Sequence, residues 1–416
     1  MAVNATDSSR WRPLIFRFRI QFSTPFHPPP VHYRRGMHNL DARDPLALGQ
    51  QLMSVLEGGR RTATYKLATL LALLDYAVEN TPVDPDAAVS VDLDDLAERV
   101  IGLYWRQIRP LDGHDLKQSS QPKARIPDAV RAFKRASSVG EVALDVCKRR
   151  NPEPFRELRN EVKLTLVQQP LPRLQRLTKA ETHTCFLYDD SWMFDRTSLA
   201  SIARRGNVIE LYPRVGFALA RLSSLLKPAL QIAWVGDVRR HNAFLKEDAP
   251  DLAAHLFGMD RVSLSRVREV LMKKFGATCF YCGVRVGAGC HVDHVLPWSR
   301  VGIDGLSNLV LACTQCNGDK SNLLPAPVHV TIALGRRRTV LETLAASIDW
   351  PSQFDRTASA ARGMYSTQPG GTPMGLRTRE FEYLAPDFGW TTASDEVRWT
   401  APLDGLRLKG QVTIDE

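Results

Sequence analysis

The stretch that decides the fold runs from residue 279 to residue 322 and contains three short motifs. They are CFYC at residues 279–282, HVDHVLP at residues 291–297 and NLVLACTQCNGDKSN at residues 308–322. Cysteine, histidine, aspartate and asparagine are concentrated here, within a chain of 416 residues. These side chains bind metal ions and transfer protons, so we expect the functional site in this segment.

Two of the motifs contain C-x-x-C pairs, Cys279 with Cys282 and Cys313 with Cys316. Two thiolates at this spacing reach one ion from a tight turn, and two such turns complete a tetrahedral zinc site. Four thiolates leave no open coordination position, so this zinc is expected to be structural. The alternative is two unrelated pairs of thiols. Cys290, between the pairs, is expected to be a buried strand residue or an alternate ligand.

The adjacent residues Asp293 and His294 lie in a short apolar alternation that indicates a strand ended by Pro297. Neighbouring strand residues point to opposite faces, unless a twist or bulge brings both toward a cleft. An aspartate followed by a histidine offers a hard oxygen ligand beside a base that titrates near neutral pH. Ordinary surface polarity is the alternative for such a pair.

Two asparagines in the third motif favour a metal site over surface polarity. Asn308 precedes a Leu-Val-Leu strand, and Asn317 follows the second cysteine pair at what reads as the start of a helix. We therefore expect Asn317 on the element that faces Asp293 and His294. An aspartate oxygen and an asparagine carbonyl oxygen form a partial shell for Mg²⁺, which keeps several waters and takes substrate phosphate as a further ligand.

Taken together, these motifs resemble those of the HNH endonucleases, the ββα-metal (His-Me finger) nucleases, in the subgroup with a four-cysteine zinc site. The family pattern is C-x-x-C, then D-H-x-x-P, then N-L-x-x-x-C-x-x-C-N-x-x-K, and every element occurs here in order. The resemblance covers about residues 265–325. It implies a metal-dependent DNA endonuclease that leaves 5′-phosphate and 3′-hydroxyl ends.

The resemblance also implies roles for individual residues. His294 would be the general base that deprotonates the attacking water. Asp293 and Asn317 would bind a catalytic Mg²⁺ or Mn²⁺, beside the structural Zn²⁺ of the four cysteines. Asn308 would be structural and would orient the loop and His294 through hydrogen bonds.

Two further residues are candidates for binding the substrate. Lys320, the lysine of the third motif, is expected to contact a substrate phosphate. His291 lies two positions before Asp293 on the same strand face, and is either a phosphate contact or a plain strand residue. Asn317 stands where many relatives carry histidine, and both residues occur in the family.

The charge distribution indicates a polyanionic partner. The chain has 55 Lys and Arg against 45 Asp and Glu, and residues 123–240 alone hold 22 basic and 12 acidic residues. A basic block favours DNA as a partner, because neutralised phosphates release counterions; a solvated arginine-rich surface is the alternative. No apolar stretch approaches the ~20 residues of a membrane span, so no membrane partner is expected. Paired C-x-x-C units in a large chain indicate a reducing, cytoplasmic compartment.

The expected fold class is α+β, with a mostly helical N-terminal region, a zinc-stapled HNH module of the ββα-metal type and a C-terminal extension. Residues 1–44 are expected to be a disordered extension, or to precede a true start at Met37. Residues 45–255 are expected to form a mostly helical basic domain for DNA binding or target recognition. The HNH domain is expected at residues 256–327, and the extension at residues 328–416, flexible over 357–374.

Two functions of different classes fit these observations. The first is a DNA endonuclease, in restriction or anti-phage defence, with RNA as the alternative substrate. The second is a non-catalytic zinc protein that binds nucleic acid, as degenerate members of such families do. The second is disfavoured because every catalytic position of the motif is filled.

Overall fold

The computed structural model describes residues 44–57, 61–137, 143–176, 185–245, 251–258, 264–385, 390–393 and 396–399. All of them belong to one compact unit. The expected extension over residues 1–44, with the alternative start at Met37, lies outside the described residues except for Asp44. Helices predominate over short strands, which confirms the expected mixture of mostly helical structure with small strands.

Fifteen α-helices lie within the described residues. None of them combines the length and the apolar character needed to cross a lipid bilayer. In chain order they are α1 (Pro45–Glu57), α2 (Tyr65–Glu79), α3 (Leu93–Gln107), α4 (Arg125–Ser137), α5 (Leu144–Arg150), α6 (Pro152–Gln168), α7 (Leu171–Leu174), α8 (Leu199–Arg204), α9 (Val215–His241), α10 (Asp251–Phe257), α11 (Ser265–Phe275), α12 (Thr314–Lys320), α13 (Pro327–Leu334), α14 (Arg338–Ser347) and α15 (Phe354–Ser366).

The described strands form four separate two-stranded antiparallel sheets, each pairing the strands in numerical order. The strands are β1 (Val89–Asp92), β2 (Val208–Leu211), β3 (His291–His294), β4 (Leu309–Ala312), β5 (Pro373–Arg377), β6 (Glu380–Tyr383), β7 (Trp390–Ala393) and β8 (Glu396–Trp399).

Helix α2 lies at the centre of the helical core and packs against α3, α9 and α15. Its leucines recur at helical spacing after Thr62, which predicts a helix here, and the structure confirms it. Burying such a helix on all sides removes a large apolar area from water and accounts for much of the stability of this region. Five of its buried side chains are Leu67, Leu70, Leu71, Leu74 and Val78.

The sequence predicts a helix start at Asp92 and a helix end at Gly276, and the structure confirms both. The Asp92 side chain accepts hydrogen bonds from the backbone amides of Asp94 and Asp95, at 2.7 and 2.9 Å, and so caps α3. Gly276 ends α11 with φ +86°, in the left-handed region that favours glycine.

Helix α9 corrects an expectation drawn from proline. The sequence predicts breaks at Pro213 and Pro228 within the segment from Leu211 to Trp234. Pro213 does lie between β2 and α9, but α9, 27 residues long, continues through Pro228. Proline removes one helical hydrogen bond and crowds the preceding turn. Pro228 is solvent-exposed, so water can bind the carbonyl that loses its partner, while Leu226 and Leu230 beside it stay buried.

The region after the HNH motif corrects two further expectations. The sequence from Val328 to Ala333 predicts a strand, but these residues belong to α13, which has Pro327 in its first turn and buries His329 and Val330. Residues 357–374, expected to be flexible, contain most of α15 and the start of β5. The small residues of α15 serve close packing, since a Cβ on Gly363 would lie 1.7 Å from the carbonyl oxygen of Val78.

The C-terminal residues pack on both preceding regions of the chain. Helix α15 contacts α2, and α14 contacts the short turn Leu306–Asn308 that precedes β4. The division into segments 45–255, 256–327 and 328–416 stays a proposal, because their described residues share one compact unit.

Glu79 joins three helices through buried ion pairs. Its carboxylate accepts from Arg99 of α3 at 2.7 Å and from Arg356 of α15 at 2.9 Å, and the residue is 5% exposed. Burial alone would raise the pKa of Glu79, but the two guanidinium groups outweigh burial and hold this pKa below its ordinary value.

The substitution Glu79→Gln should lower the free energy of unfolding at neutral pH by about 2 kcal/mol, because it removes the buried charge that Arg99 and Arg356 share. The loss is limited because Arg99 keeps its pair with Asp95 and the Arg356 side chain is 32% exposed. The pKa in the folded state lies below the ordinary value of 4.5, so the ion-pair contribution is complete above that value. It is lost as the pH falls through the folded pKa. Urea unfolding at a series of pH values should therefore show the two proteins converging in acid.

A matched control is Glu342→Gln, which removes an exposed pair with Arg338. It should change the free energy of unfolding by less than about 0.5 kcal/mol. A Glu79→Gln protein as stable as the wild type at neutral pH would contradict this account of α15 packing.

Candidate metal centre and nuclease site

Strands β3 and β4 and helix α12 place the motif residues in one small region. The two strands pair antiparallel without a bulge, with His291 opposite Ala312 and His294 opposite Leu309. Helix α12 begins directly after β4, at the second cysteine pair, and packs against β3. The strand at residues 291–294 and the helix start near Asn317 confirm the secondary structure expected around the motif.

The four paired cysteines converge on one point. The sulfur atoms of Cys279, Cys282, Cys313 and Cys316 all lie within 4.8 Å of one another, and those of Cys282 and Cys313 are 3.9 Å apart. A tetrahedral ion with bonds of about 2.3 Å to each sulfur holds them about 3.8 Å apart. The cluster is therefore compatible with a structural zinc ion, whereas Cys290 lies in a small apolar cluster with Val267 and Leu271.

Local backbone geometry directs these thiols toward one another. Gly283, with φ +73°, closes the turn after Cys282, and its amide donates to the Cys279 carbonyl. In the second pair the Cys313 sulfur accepts from the Cys316 amide at 3.4 Å, which caps α12. Burial would raise the pKa of Cys313, but hydrogen bonds from that amide and from neighbouring thiols lower it. Burial instead raises the pKa of Cys282 to about 12. Binding of a metal to the thiolate would stabilise the charged form and so counter the effect of burial.

Asn308 fixes the loop that follows His294. The residue is fully buried, and its Oδ1 accepts from the Leu296 amide at 2.8 Å. Its Nδ2 donates to the carbonyl oxygens of Leu296 and Ile303, both at 3.1 Å. One side chain thus ties both ends of the loop to the start of β4.

His294 is buried at the end of β3 and is held by Asp304. Its Nε2 lies 2.8 Å from Asp304 Oδ1, and its ring packs against Trp298 with centroids 5.4 Å apart. The histidine side chain is 5% exposed and the aspartate side chain 41%. An ionised carboxylate only accepts hydrogen bonds, so this contact assigns the proton to Nε2 and leaves Nδ1 with a lone pair.

Asp293 faces the opposite side of β3, toward α12. Its Oδ2 accepts from the Tyr281 hydroxyl at 2.6 Å and pairs with Lys320 Nζ at 3.0 Å. No described residue donates a hydrogen bond to Oδ1, so that oxygen can still bind a ligand. Burial, followed by the Asp293 charge, raises the pKa of Tyr281 well above its ordinary value, so the phenol remains a donor.

The structure therefore brings some motif residues together and separates others. Asp293 meets Lys320, whereas His294 meets Asp304, because β3 alternates its side chains without a bulge. The Asn317 side chain, half-buried on α12, makes no hydrogen bond to any other described residue. His291 is exposed, and its Nε2 lies 3.2 Å from Thr314 Oγ1.

Four residues outside the quoted motifs support the site and were missed by the sequence analysis: Trp298, Asp304, Arg336 and Trp350. Asp304 lies in the loop ten positions after His294, and its backbone carbonyl accepts from Trp350 Nε1 at 2.7 Å. Arg336 donates to the carbonyls of Ser307 at 2.7 Å and Leu309 at 2.8 Å, on either side of Asn308. Asp304 could have been found as the acidic residue that follows the D-H pair within a short loop. Arg336 could not, because in the sequence it is one of three consecutive arginines at 336–338, which is typical of a surface.

Burial lowers the pKa of Arg336 to about 10. The guanidinium is thus held inside the protein by backbone carbonyls and not by a counter-charge.

Two family models match the chain. Residues 279–323 match the model described as HNH endonuclease, and residues 46–246 match one described as domain of unknown function (DUF8808). No curated protein and no solved structure matched. The HNH match confirms the resemblance read from the motifs, and the second match covers most of the helical region.

Loss of one paired cysteine should abolish zinc binding, since three thiolates bind far more weakly than four. We expect about one zinc per chain in the purified wild-type protein and almost none in Cys282→Ser. Cys290→Ala is the matched control, because Cys290 lies outside the cluster, and it should keep its zinc. Elemental analysis by mass spectrometry measures this directly, and equal zinc in wild type and Cys282→Ser would contradict the assignment.

Proposed function

We propose that the protein is a divalent-metal-dependent endonuclease that hydrolyses phosphodiester bonds of DNA, with His294 as the general base. The HNH endonuclease domain at residues 279–323 supports a nuclease in general. The observation that carries the finer proposal is the contact between His294 Nε2 and Asp304 Oδ1. This hydrogen bond holds the buried imidazole in one orientation and favours the tautomer with its proton on Nε2.

The chemistry of the base follows from that contact. With the proton on Nε2, the Nδ1 lone pair accepts the proton of the attacking water. The negative Asp304 then stabilises the imidazolium that forms, as a carboxylate does beside a catalytic histidine. Packing against Trp298 keeps the ring from turning away.

The metal would be held at the same end of β3, by Asp293, which directly precedes His294, together with Asn317. Asp293 Oδ1 and the Asn317 side-chain oxygen are hard ligands of the kind that Mg²⁺ or Mn²⁺ takes, and no described residue donates to either oxygen. When bound, the ion supplies electrophilic stabilisation of charge on the phosphate and the leaving oxygen. Lys320, already beside Asp293, would contact the substrate phosphate, and His291 is a second candidate for such a contact.

The zinc cluster, Asn308 and Arg336 have supporting roles in this proposal. The cluster fixes α12 to the turn that bears Tyr281, and Asn308 with Arg336 fixes the loop after His294. Restriction or anti-phage defence in the cytoplasm is the proposed setting and rests on the family resemblance alone. DNA is preferred to RNA on the same ground.

The substitution His294→Ala should reduce cleavage of DNA in the presence of Mg²⁺ on the order of 10²- to 10⁴-fold, the usual contribution of a general base. His114→Ala is the matched control, because His114 is an exposed histidine that packs on Phe244 of the helical region. It should cleave at the wild-type rate. Gel assays with end-labelled DNA, with and without EDTA, measure both.

Cleavage by His294→Ala at the wild-type rate would exclude this residue as the base. DNA binding without Mg²⁺-dependent cleavage by the wild type would instead favour the non-catalytic zinc protein.

The substitution Asp304→Asn should lower the cleavage rate on the order of 10- to 100-fold, as for other residues that orient a functional histidine. An amide can donate to Nε2, which moves the proton to Nδ1 and removes the lone pair from the reacting side. Asp115→Asn, in an exposed loop of the helical region, is the control and should have no effect. An unchanged rate for Asp304→Asn would show that the carboxylate does not orient the base.

A further inference from the structure

A large cavity lies between the helical region and the HNH domain. Its volume is about 930 Å³, within the usual range of pockets that enclose a small organic ligand. Helices α3, α4 and α5 form one wall, and the loop from Trp298 to Asp304 forms another. His294 lines it as well, so the proposed general base faces this space and not the outer surface.

Aromatic groups flank His294 and Asp304 in the cavity wall. Trp298 packs on His294, and Trp350 bonds the Asp304 carbonyl; both indoles are half-buried. Arg106 of α3, in the facing wall of the cavity, lies over the Trp298 ring, 4.4 Å from its centroid. Indole and guanidinium planes are the surfaces on which proteins stack unpaired nucleobases.

The polar lining is suited to an anionic ligand that also bears hydrogen-bonding groups. Eight Lys and Arg line the cavity against five Asp and Glu. Gln107 is 1% exposed, and its Oε1 has no hydrogen-bond partner among the described residues. The same holds for Gln353 Oε1 and Arg99 Nη1, which line the same space. These three atoms are themselves buried, so the groups that a bound base can reach are the charged side chains of the lining.

Specific contacts hold the two walls together. Lys227 of α9 binds both the Asp75 carboxylate and the carbonyl oxygen of Arg300. Gln353 donates to Asp145 at 3.0 Å, across the same boundary. The Glu79 pairs with Arg99 and Arg356 add a third link. The width of the cavity is therefore set by buried polar contacts.

We infer that this cavity binds one unpaired nucleotide of the strand to be cut, either in single-stranded nucleic acid or extruded from a duplex. A base in an intact duplex is stacked and paired, so neither its faces nor its Watson–Crick edge is free to contact the cavity lining. An unpaired base offers both. The inference rests on the proposed nuclease function and specifies its substrate; it also gives the helical region a role, as the second wall of the nucleotide pocket.

Gly102 of α3 provides a substitution that fills the cavity. It lines the cavity, and a Cβ added there meets only Leu144 Cδ2, at 4.0 Å. Gly102→Trp should therefore place an indole in the cavity without displacing backbone. Gly236→Trp is the matched control, because Gly236 is exposed on α9, outside the cavity lining, and a Cβ added there meets nothing within 4 Å. Thermal unfolding shows whether each variant folds. If Gly102→Trp does not fold, Gly102→Leu fills the cavity with a smaller side chain.

The experiment compares one labelled oligodeoxynucleotide as a single strand, as a perfect duplex and as a duplex with one bulged nucleotide. An oligoribonucleotide of the same sequence distinguishes RNA from DNA. We expect the wild type to cleave the single strand and the bulged duplex about tenfold or more faster than the perfect duplex, given the usual strength of base stacking on aromatic side chains. Gly102→Trp should lose that preference and cleave all of them slowly, whereas Gly236→Trp should match the wild type.

Binding measured by fluorescence anisotropy with His294→Ala separates the two proposals. Tighter binding of the single strand, lost on adding Gly102→Trp, would support the pocket even if no substrate were cleaved and the nuclease proposal failed. Equal cleavage of the perfect duplex and the single strand, unaffected by a folded Gly102→Trp, would overturn the pocket and leave the nuclease intact.

Discussion

The hydrogen bonds of the Asn308 side chain are the constraint on which the site depends. They lie in the interior, where an amide left without partners would cost about 1–3 kcal/mol, so the loop is held strongly to the start of β4. That loop carries Trp298 and Asp304, the two residues that contact the His294 ring. The position of the imidazole therefore follows from a residue that never touches it.

Sequence reasoning predicted the local parts of this arrangement and missed the distant ones. The cysteine pairs, the strand before Pro297 and the helix that contains Asn317 depend on neighbours in the chain, so the sequence predicts each of them. Arg336 lies 28 positions beyond Asn308. It stabilises the site only because the fold brings its guanidinium to backbone carbonyls beside Asn308, and no local sequence pattern predicts that contact. The roles of Asp293, Asn317 and His294 remain proposals drawn from the family resemblance.

The errors in the predicted fold also arise from contacts between distant parts of the chain. Glycine, alanine and serine in residues 357–374 are typical of flexible segments, yet in α15 they allow a helix to approach α2 closely. Pro228 normally ends a helix, but here the lost hydrogen bond faces solvent while the flanking leucines remain in the core. In both cases tertiary packing outweighed a local preference of about 1–3 kcal/mol.

One face of α3 connects the stability of the fold to the site. Arg99, Gly102 and Arg106 are spaced three and four residues apart, so they lie along one side of the helix. The first pairs with Glu79 in the core, the second lines the cavity, and the third lies over Trp298. Glu79 holds α3 against α2 and α15. These contacts therefore also set the distance between Arg106 and the loop from Trp298 to Asp304. The helical region is thus part of the surroundings of His294 and not only an appended recognition domain.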